Sequence, residues 1–86
     1  MNKMATIQVI YGTDWCGDCK RSKKFLDKKN IPYNWIDIDD DEEAREITIK
    51  LNDGKARVPT VVFDDDSILV EPSNFQLAKK LGIELE

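Results

Sequence analysis

Cys16 and Cys19 are the only two cysteines of an 86-residue chain that contains no histidine. They bracket Gly17-Asp18, just past the run Thr6 to Tyr11, which is β-branched and apolar apart from Gln8, and just before a lysine-rich segment of helical pattern. A run of that kind predicts a strand buried on both faces. The segment after it predicts a helix from Cys16 to about Lys29, with Cys19, Ser22, Phe25 and Leu26 on the inner stripe and Lys20, Arg21, Lys23, Lys24 and Lys28 on the wet side. A strand that delivers a Cys-x-x-Cys pair to a helix N-terminus meets the needs of thiol–disulfide exchange: an exposed first sulfur, a stabilised thiolate, and a second thiol within reach.

The rest of the chain builds one domain, residues 1–86, around that junction. Asn30 stops the first helix and Pro32 opens a strand over Tyr33 to Asp37, so the short connection makes a right-handed parallel unit. Asp40 and Glu43 have capping-box spacing at the head of a second helix. Its inner face would be Ala44, Ile47 and Leu51, and Asn52-Asp53-Gly54 ends it. Thr60 to Phe63 and Ser67 to Val70 form a hairpin about Asp64-Asp65-Asp66. Ser73 and Gln76 box the last helix, whose inner face would be Phe75, Leu77, Ala78 and Leu81, with Gly82 as its stop. The order β-α-β-α-β-β-α predicts a thioredoxin-like α/β fold, a four-stranded mixed sheet flanked by helices.

Composition narrows the function. The chain is 41% hydrophobic and 35% charged, as in ordered globular proteins. Its net charge of −4 and the lack of a basic stripe argue against nucleic-acid binding. No segment approaches the roughly 20 apolar residues of a membrane span, and Met1 to Ala5 does not read as a signal peptide. The expectation is a cytoplasmic monomer, where a cysteine pair is catalytic or metal-binding rather than structural. Tetrahedral zinc takes four ligands, so only two chains pooling their cysteines could bind zinc or a cluster.

Within the pair, Cys16 at the N-cap would face the amides of Gly17, Asp18 and Cys19 and the helix dipole, with Lys20 and Arg21 adding positive potential and Asp14 and Asp18 opposing it. Gly17 would remove bulk between the sulfurs and let backbone approach an incoming disulfide. Cys19, one turn in, would be less accessible. Cys16 is then the nucleophile and Cys19 the resolving thiol. Trp15, beside the nucleophile, would shield the site. Taken alone, Val58-Pro59 reads as a trans proline opening an edge strand.

Trp15-Cys16-Gly17-Asp18-Cys19 after a strand, with Val58-Pro59-Thr60 before a hairpin, resembles the glutaredoxin family over roughly Ile7 to Leu81. The run Tyr11 to Cys19 and the pair Pro72-Ser73 are similar to those of mycoredoxins and other glutaredoxin-like members. The resemblance implies that Cys16 attacks a disulfide, that Pro59 is cis beside it, and that the Val58 backbone pairs with an extended substrate. It also implies a groove for a low-molecular-weight thiol, lined by Tyr11, Trp15, Arg57, Val58 and the Glu71 to Asn74 turn, with the last helix's N-terminus at Ser73 receiving a carboxylate.

Three positions depart from glutathione-dependent members. Thr13 stands where they carry a Lys, and Arg57 stands where they carry a Thr. Leu69-Val70-Glu71-Pro72 replaces their Gly-Gly. Arg57 could replace the lost positive charge, and Glu71 would repel an anionic thiol. A thioredoxin-type buried acid is also missing, since its position is Ile10. The expectation is a thiol–disulfide oxidoreductase without a tightly bound cofactor, acting on disulfide-containing proteins or on mixed disulfides with a small thiol. Its electrons would come from glutathione, another low-molecular-weight thiol, or a reductase of the thioredoxin type. A cluster-bridged dimer acting as a scaffold is the alternative.

Overall fold

Strand β1, Ile7–Gly12, is buried at every position except Gln8 and takes an interior place in the sheet. In the computed structural model, which describes residues 5–85, β1 pairs in parallel with β2 (Trp35–Asp37) and antiparallel with β3 (Thr60–Phe63). Strand β4 (Ile68–Val70) completes the order β2-β1-β3-β4. This is the predicted mixed four-stranded sheet. The reading of Met1 to Ala5 as free of a signal peptide falls, but for Ala5, outside the described residues. No described helix is long and apolar enough to cross a membrane.

A bulge at Gln8 sets the phase of β1. Ile7 pairs with Phe63 and Val9 with Val62, so two steps on β1 match one on β3. Ile7 and Ile10 therefore share the face that packs on Phe25, Leu26 and Leu77, while Val9 and Tyr11 face Ile38 and Ala44 on the other. Gln8, the extra residue, points to solvent. Each large side chain sealed in these layers contributes about 1.5–3 kcal/mol relative to exposure.

The three helices begin as the local chemistry dictates. Helix α1 spans Gly17–Lys28, with Asn30 in the left-handed region (φ 58°) and Ile31 N–H returning to the Leu26 carbonyl at 2.9 Å. Helix α2 spans Glu42–Leu51, but its cap is Asp41, not Asp40: Asp41 Oδ1 accepts from Ala44 N–H at 2.9 Å. Asp40 is drawn into the preceding turn, its N–H donating to the Asp37 carbonyl. Helix α3 spans Asn74–Leu81 with the full Ser73–Gln76 capping box, and Gly82 closes it at φ 71°.

Two inner faces differ from the periodicity. In α2 the buried residues are Ala44 and Thr48, and Ile47 and Leu51 are exposed by 40% and 38%. Thr48 tolerates burial because its hydroxyl donates to the Ala44 carbonyl. In α3 Leu77, Ala78 and Leu81 face inward, whereas Phe75 is 61% exposed. Phe75 and Leu77, two positions apart, cannot share a helix face. Two strands are also shorter than predicted. β2 runs Trp35–Asp37, two residues shorter at its start, although the Asn34 carbonyl just before it already accepts the Ile10 N–H at 2.8 Å. β4 starts at Ile68 because Ser67 N–H turns to Asp65 Oδ1.

Candidate active site

The chain leaves the sheet at Gly12 and turns through Thr13-Asp14-Trp15, and the Thr13 carbonyl accepts the Cys16 N–H at 3.4 Å. Cys16 then caps α1. Its backbone is extended (φ −85°, ψ 117°), and its sulfur accepts the Cys19 N–H at 3.1 Å. Sulfur here takes the role that carboxylate and hydroxyl oxygens play at Asp41 and Ser73. One unpaired amide of the helix terminus, and the partial positive charge behind it, are thus aimed at Cys16 Sγ.

Burial is tighter than the sequence implied. Cys16 is 8% exposed rather than open, and Cys19 is sealed at 0%. The Val58 carbonyl closes one side of Cys16, 3.9 Å from its sulfur. The Val58–Pro59 bond is cis, as the resemblance implied and against the trans reading of the dipeptide alone. The cysteines still differ in kind. The Cys19 thiol is pushed up to about 12, first by burial and then by its hydrogen bond to Cys16, with a backbone hydrogen bond from Thr13 pulling the other way. The Cys16 and Asp18 charges add to the rise.

Gly12 is a site residue that sequence reading missed. A Cβ there would run into the Trp35 ring and come within 2.8 Å of Cys19 Sγ. A glycine closing a strand is a signal of close approach, and here the approaching atom is the resolving sulfur. Gly17 has the opposite surroundings: a Cβ there would meet nothing within 4 Å. It does not relieve crowding between the sulfurs; it leaves open space before them.

Asp39 was missed as well. The Trp15 indole N–H donates to Asp39 Oδ2 at 2.7 Å, and Arg45 lies 3.6 Å from the other carboxylate oxygen. Trp15 itself is 71% exposed, so it stands out from the surface on a tether rather than lying in a core.

The other predicted residues divide. Arg57, Val58, Pro59, Glu71 and Ser73 come together on two adjoining turns, joined by the Glu71 N–H to the Pro59 carbonyl at 2.8 Å. Arg21, from α1, donates to the Pro72 carbonyl at 2.9 Å and ties the same turn to the cysteine helix. Arg57 and Glu71 pair with each other at 3.5 Å, so the added positive charge and the added negative charge cancel locally. Ser73 Oγ accepts the Gln76 N–H, and Gln76 Oε1 accepts the Ser73 N–H. Among the described residues, no side chain caps the α3 amides of Asn74 and Phe75. Tyr11 and Thr13 do not line an open groove: Tyr11 is buried beneath Val58 in the α2-side layer, and Thr13 is 2% exposed.

Among the described residues no three His, Cys, Asp or Glu side chains gather in a metal-binding group. The two sulfurs would have to serve a metal alone, and Cys19 faces inward.

The glutaredoxin family profile matches residues 9–68. A Mycobacterium tuberculosis protein provisionally named a glutaredoxin is 42% identical over 72 residues, covering 84% of this chain and 86% of the relative. Mycoredoxin 1 of Corynebacterium glutamicum is 40% identical over 72 residues, covering 84% of this chain and 89% of its own. The crystal structure of a thioredoxin-like protein superimposes with a TM-score of 0.75 at 28% identity, covering 88% of this chain and all of that one. Motif, cap geometry and these likenesses agree, and the chain belongs to the glutaredoxin family.

Proposed function

We propose that the protein is a thiol–disulfide oxidoreductase in which Cys16 attacks and Cys19 resolves. The observation that carries this reading is the unequal setting of the two sulfurs: Cys16 Sγ accepts the Cys19 N–H at the mouth of α1, while Cys19 Sγ is sealed behind it. The Cys16 thiolate attacks one sulfur of a substrate disulfide, a new Cys16–S bond forms, and the substrate S–S bond breaks. The departing thiolate takes a proton from water. Cys19 then attacks Cys16 Sγ, releasing the bound sulfur as a thiol and leaving a Cys16–Cys19 disulfide that two electrons from the external source reduce. In the one-cysteine route an external thiol attacks the bound sulfur itself and frees the Cys16 thiolate.

Substrates are disulfide-containing proteins or mixed disulfides with a low-molecular-weight thiol. The adjoining Val58 backbone favours an extended chain, since Val58 sits outside the sheet ladder and its carbonyl borders Cys16. To act as a reductant the protein must start with both cysteines as thiols, the state that a reducing cytoplasm maintains. Glutathione, another low-molecular-weight thiol and a thioredoxin-type reductase are the candidate electron sources, and the cancelled Arg57–Glu71 charges favour none of them.

A coupled reduction assay on a protein disulfide, run with each electron source in turn, tests the proposal. Wild type should turn over with at least one source, and Cys16→Ser with none. Undiminished turnover by Cys16→Ser would overturn the assignment.

A further inference from the structure

Four polar side chains are buried among the described residues: Thr13, Ser22, Thr48 and Thr60. The two on the α2 side have partners. Thr48 Oγ1 donates to the Ala44 carbonyl at 2.9 Å, and Thr60 Oγ1 donates to the Arg57 carbonyl at 2.7 Å while accepting from Asn52. The other two do not: neither Thr13 Oγ1 nor Ser22 Oγ has a hydrogen-bond partner among the described residues. Buried hydroxyls are normally satisfied, so an unsatisfied pair calls for a reason.

Ser22 shares the buried stripe of α1 with Cys19, one turn further on, and Thr13 lies on the turn whose backbone acts on the Cys19 sulfur. Helical side chains lean toward the N-terminus, which carries the Ser22 hydroxyl back over the turn that holds Cys19. Ser22 does not take the common option of bonding to the carbonyl four residues earlier, so its O–H is uncommitted. The Thr13 backbone favours the charged form of the Cys19 sulfur, and a Cβ built on the neighbouring Gly12 would lie 2.8 Å from the same atom.

We propose that Ser22 is a positioning residue for the resolving step, its hydroxyl donating a hydrogen bond to the Cys19 sulfur as negative charge gathers there, with the Thr13 hydroxyl as a second donor. The inference rests on the reading of Cys16 as attacker. In that step Cys19 gives up its proton and its sulfur bonds to Cys16 Sγ. The Cys16–substrate S–S bond breaks, the electron pair leaves on the substrate thiolate, and that thiolate takes up a proton. No oxidant or reductant is added: one disulfide replaces another. A buried thiolate is costly unless donors meet it, and a charge-assisted hydrogen bond is the strong kind.

The other groups facing Cys19 do not perform this task. On its own helix these are Cys16 and Asp18, the latter paired with Arg21 at 3.5 Å. From β2 comes the neutral Trp35 ring, with Lys23 3.8 Å from its centroid. β1 presents Gly12, its Tyr11 side chain lying in the opposite layer. α3 carries its charges, Lys79 and Lys80, in its last turn.

Stopped-flow reaction of the full reduced chain with 2,2′-dithiodipyridine separates the two steps. The first release of pyridinethione reports Cys16 attack, and the second reports resolution by Cys19. Ser22→Ala should leave the first phase unchanged and slow the second about tenfold or more at neutral pH, the loss expected for one hydrogen bond to a charged group. The deficit should shrink as pH rises and Cys19 ionises unaided, and Thr13→Val should slow the second phase in the same sense. A second phase in Ser22→Ala within about twofold of wild type, less than one such bond is worth, would overturn the inference. So would equal slowing at every pH, which marks a packing effect. Loss of the first phase in wild type would instead refute the attacker assignment beneath it.

Discussion

The sulfur of Cys16 stands 3.1 Å from the backbone nitrogen of Cys19, so the resolving residue supplies the hydrogen bond that caps the attacker. The same residue keeps its own sulfur sealed and protonated. One turn of helix thus gives two thiols opposite settings. The consequences below follow from that turn and from what is packed around it.

Gly12→Ala should disturb both stability and the site. The new methyl would meet the Trp35 ring and Cys19 Sγ, and relief requires one of them to move. Overpacking of this kind costs about 1–3 kcal/mol. Urea denaturation of the reduced protein should show a midpoint lowered accordingly, with slower resolution by Cys19. Gly17→Ala, which meets open space, should change the midpoint far less.

Asp39→Asn should loosen Trp15 without unfolding the chain. The carboxylate accepts the indole N–H at 2.7 Å, and replacing the charged acceptor with an amide weakens that bond by about 1 kcal/mol. With Trp15 at 71% exposure, little packing is lost. The expected result is a higher KM for protein disulfides with the melting temperature nearly unchanged. Tryptophan fluorescence quenching by acrylamide should rise, read against a Trp35→Phe background.

Glu71→Gln should release Arg57 from its partner at 3.5 Å and leave a net positive charge on the turn joined to Pro59. Exposed pairs of this type are worth about 0.2–1 kcal/mol, so reaction with anionic small disulfides should quicken by up to about fivefold. The gain should fade in high salt. Neutral disulfides measured alongside should react as in wild type.

The Cys19 thiol gives the reduced protein a definite alkaline limit. Its value moves from 9.0 to about 12 on folding, so between these limits the folded chain holds a proton that the unfolded chain has lost. Stability from this group is complete below about pH 9 and declines as pH rises toward 12. Tyr33, raised to about 12 by burial and by its bond to Asp27, acts in the same sense. Denaturation midpoints followed across that range should fall for the reduced wild type and fall less steeply for Cys19→Ser.

What the sequence made legible was local. The Cys-x-x-Cys junction, the strand before it, the Ser73–Gln76 box and the Gly82 stop each depend on residues within a few positions, and all stand in the structure. The buried faces of α2 and α3 depend on how the helices roll against the sheet. Apolar Ile47 and Phe75 therefore stayed outside while Thr48, satisfying its own hydroxyl, went in. Asp39 lies 24 positions from Trp15, and Gly12 is explained by a ring on another strand. Nothing in their immediate neighbours announces either partner. Arg57 and Glu71 were each read by charge, and only the fold shows that they meet.

The central claim is that Cys16 attacks and Cys19 resolves. Its most direct measurement is mass spectrometry of adducts trapped when each single variant meets a protein disulfide. Cys19→Ser should accumulate a mixed disulfide mapped to Cys16, and Cys16→Ser should accumulate none on the same timescale. A mixed disulfide forming on Cys19 in Cys16→Ser as fast as on Cys16 in Cys19→Ser would contradict the account.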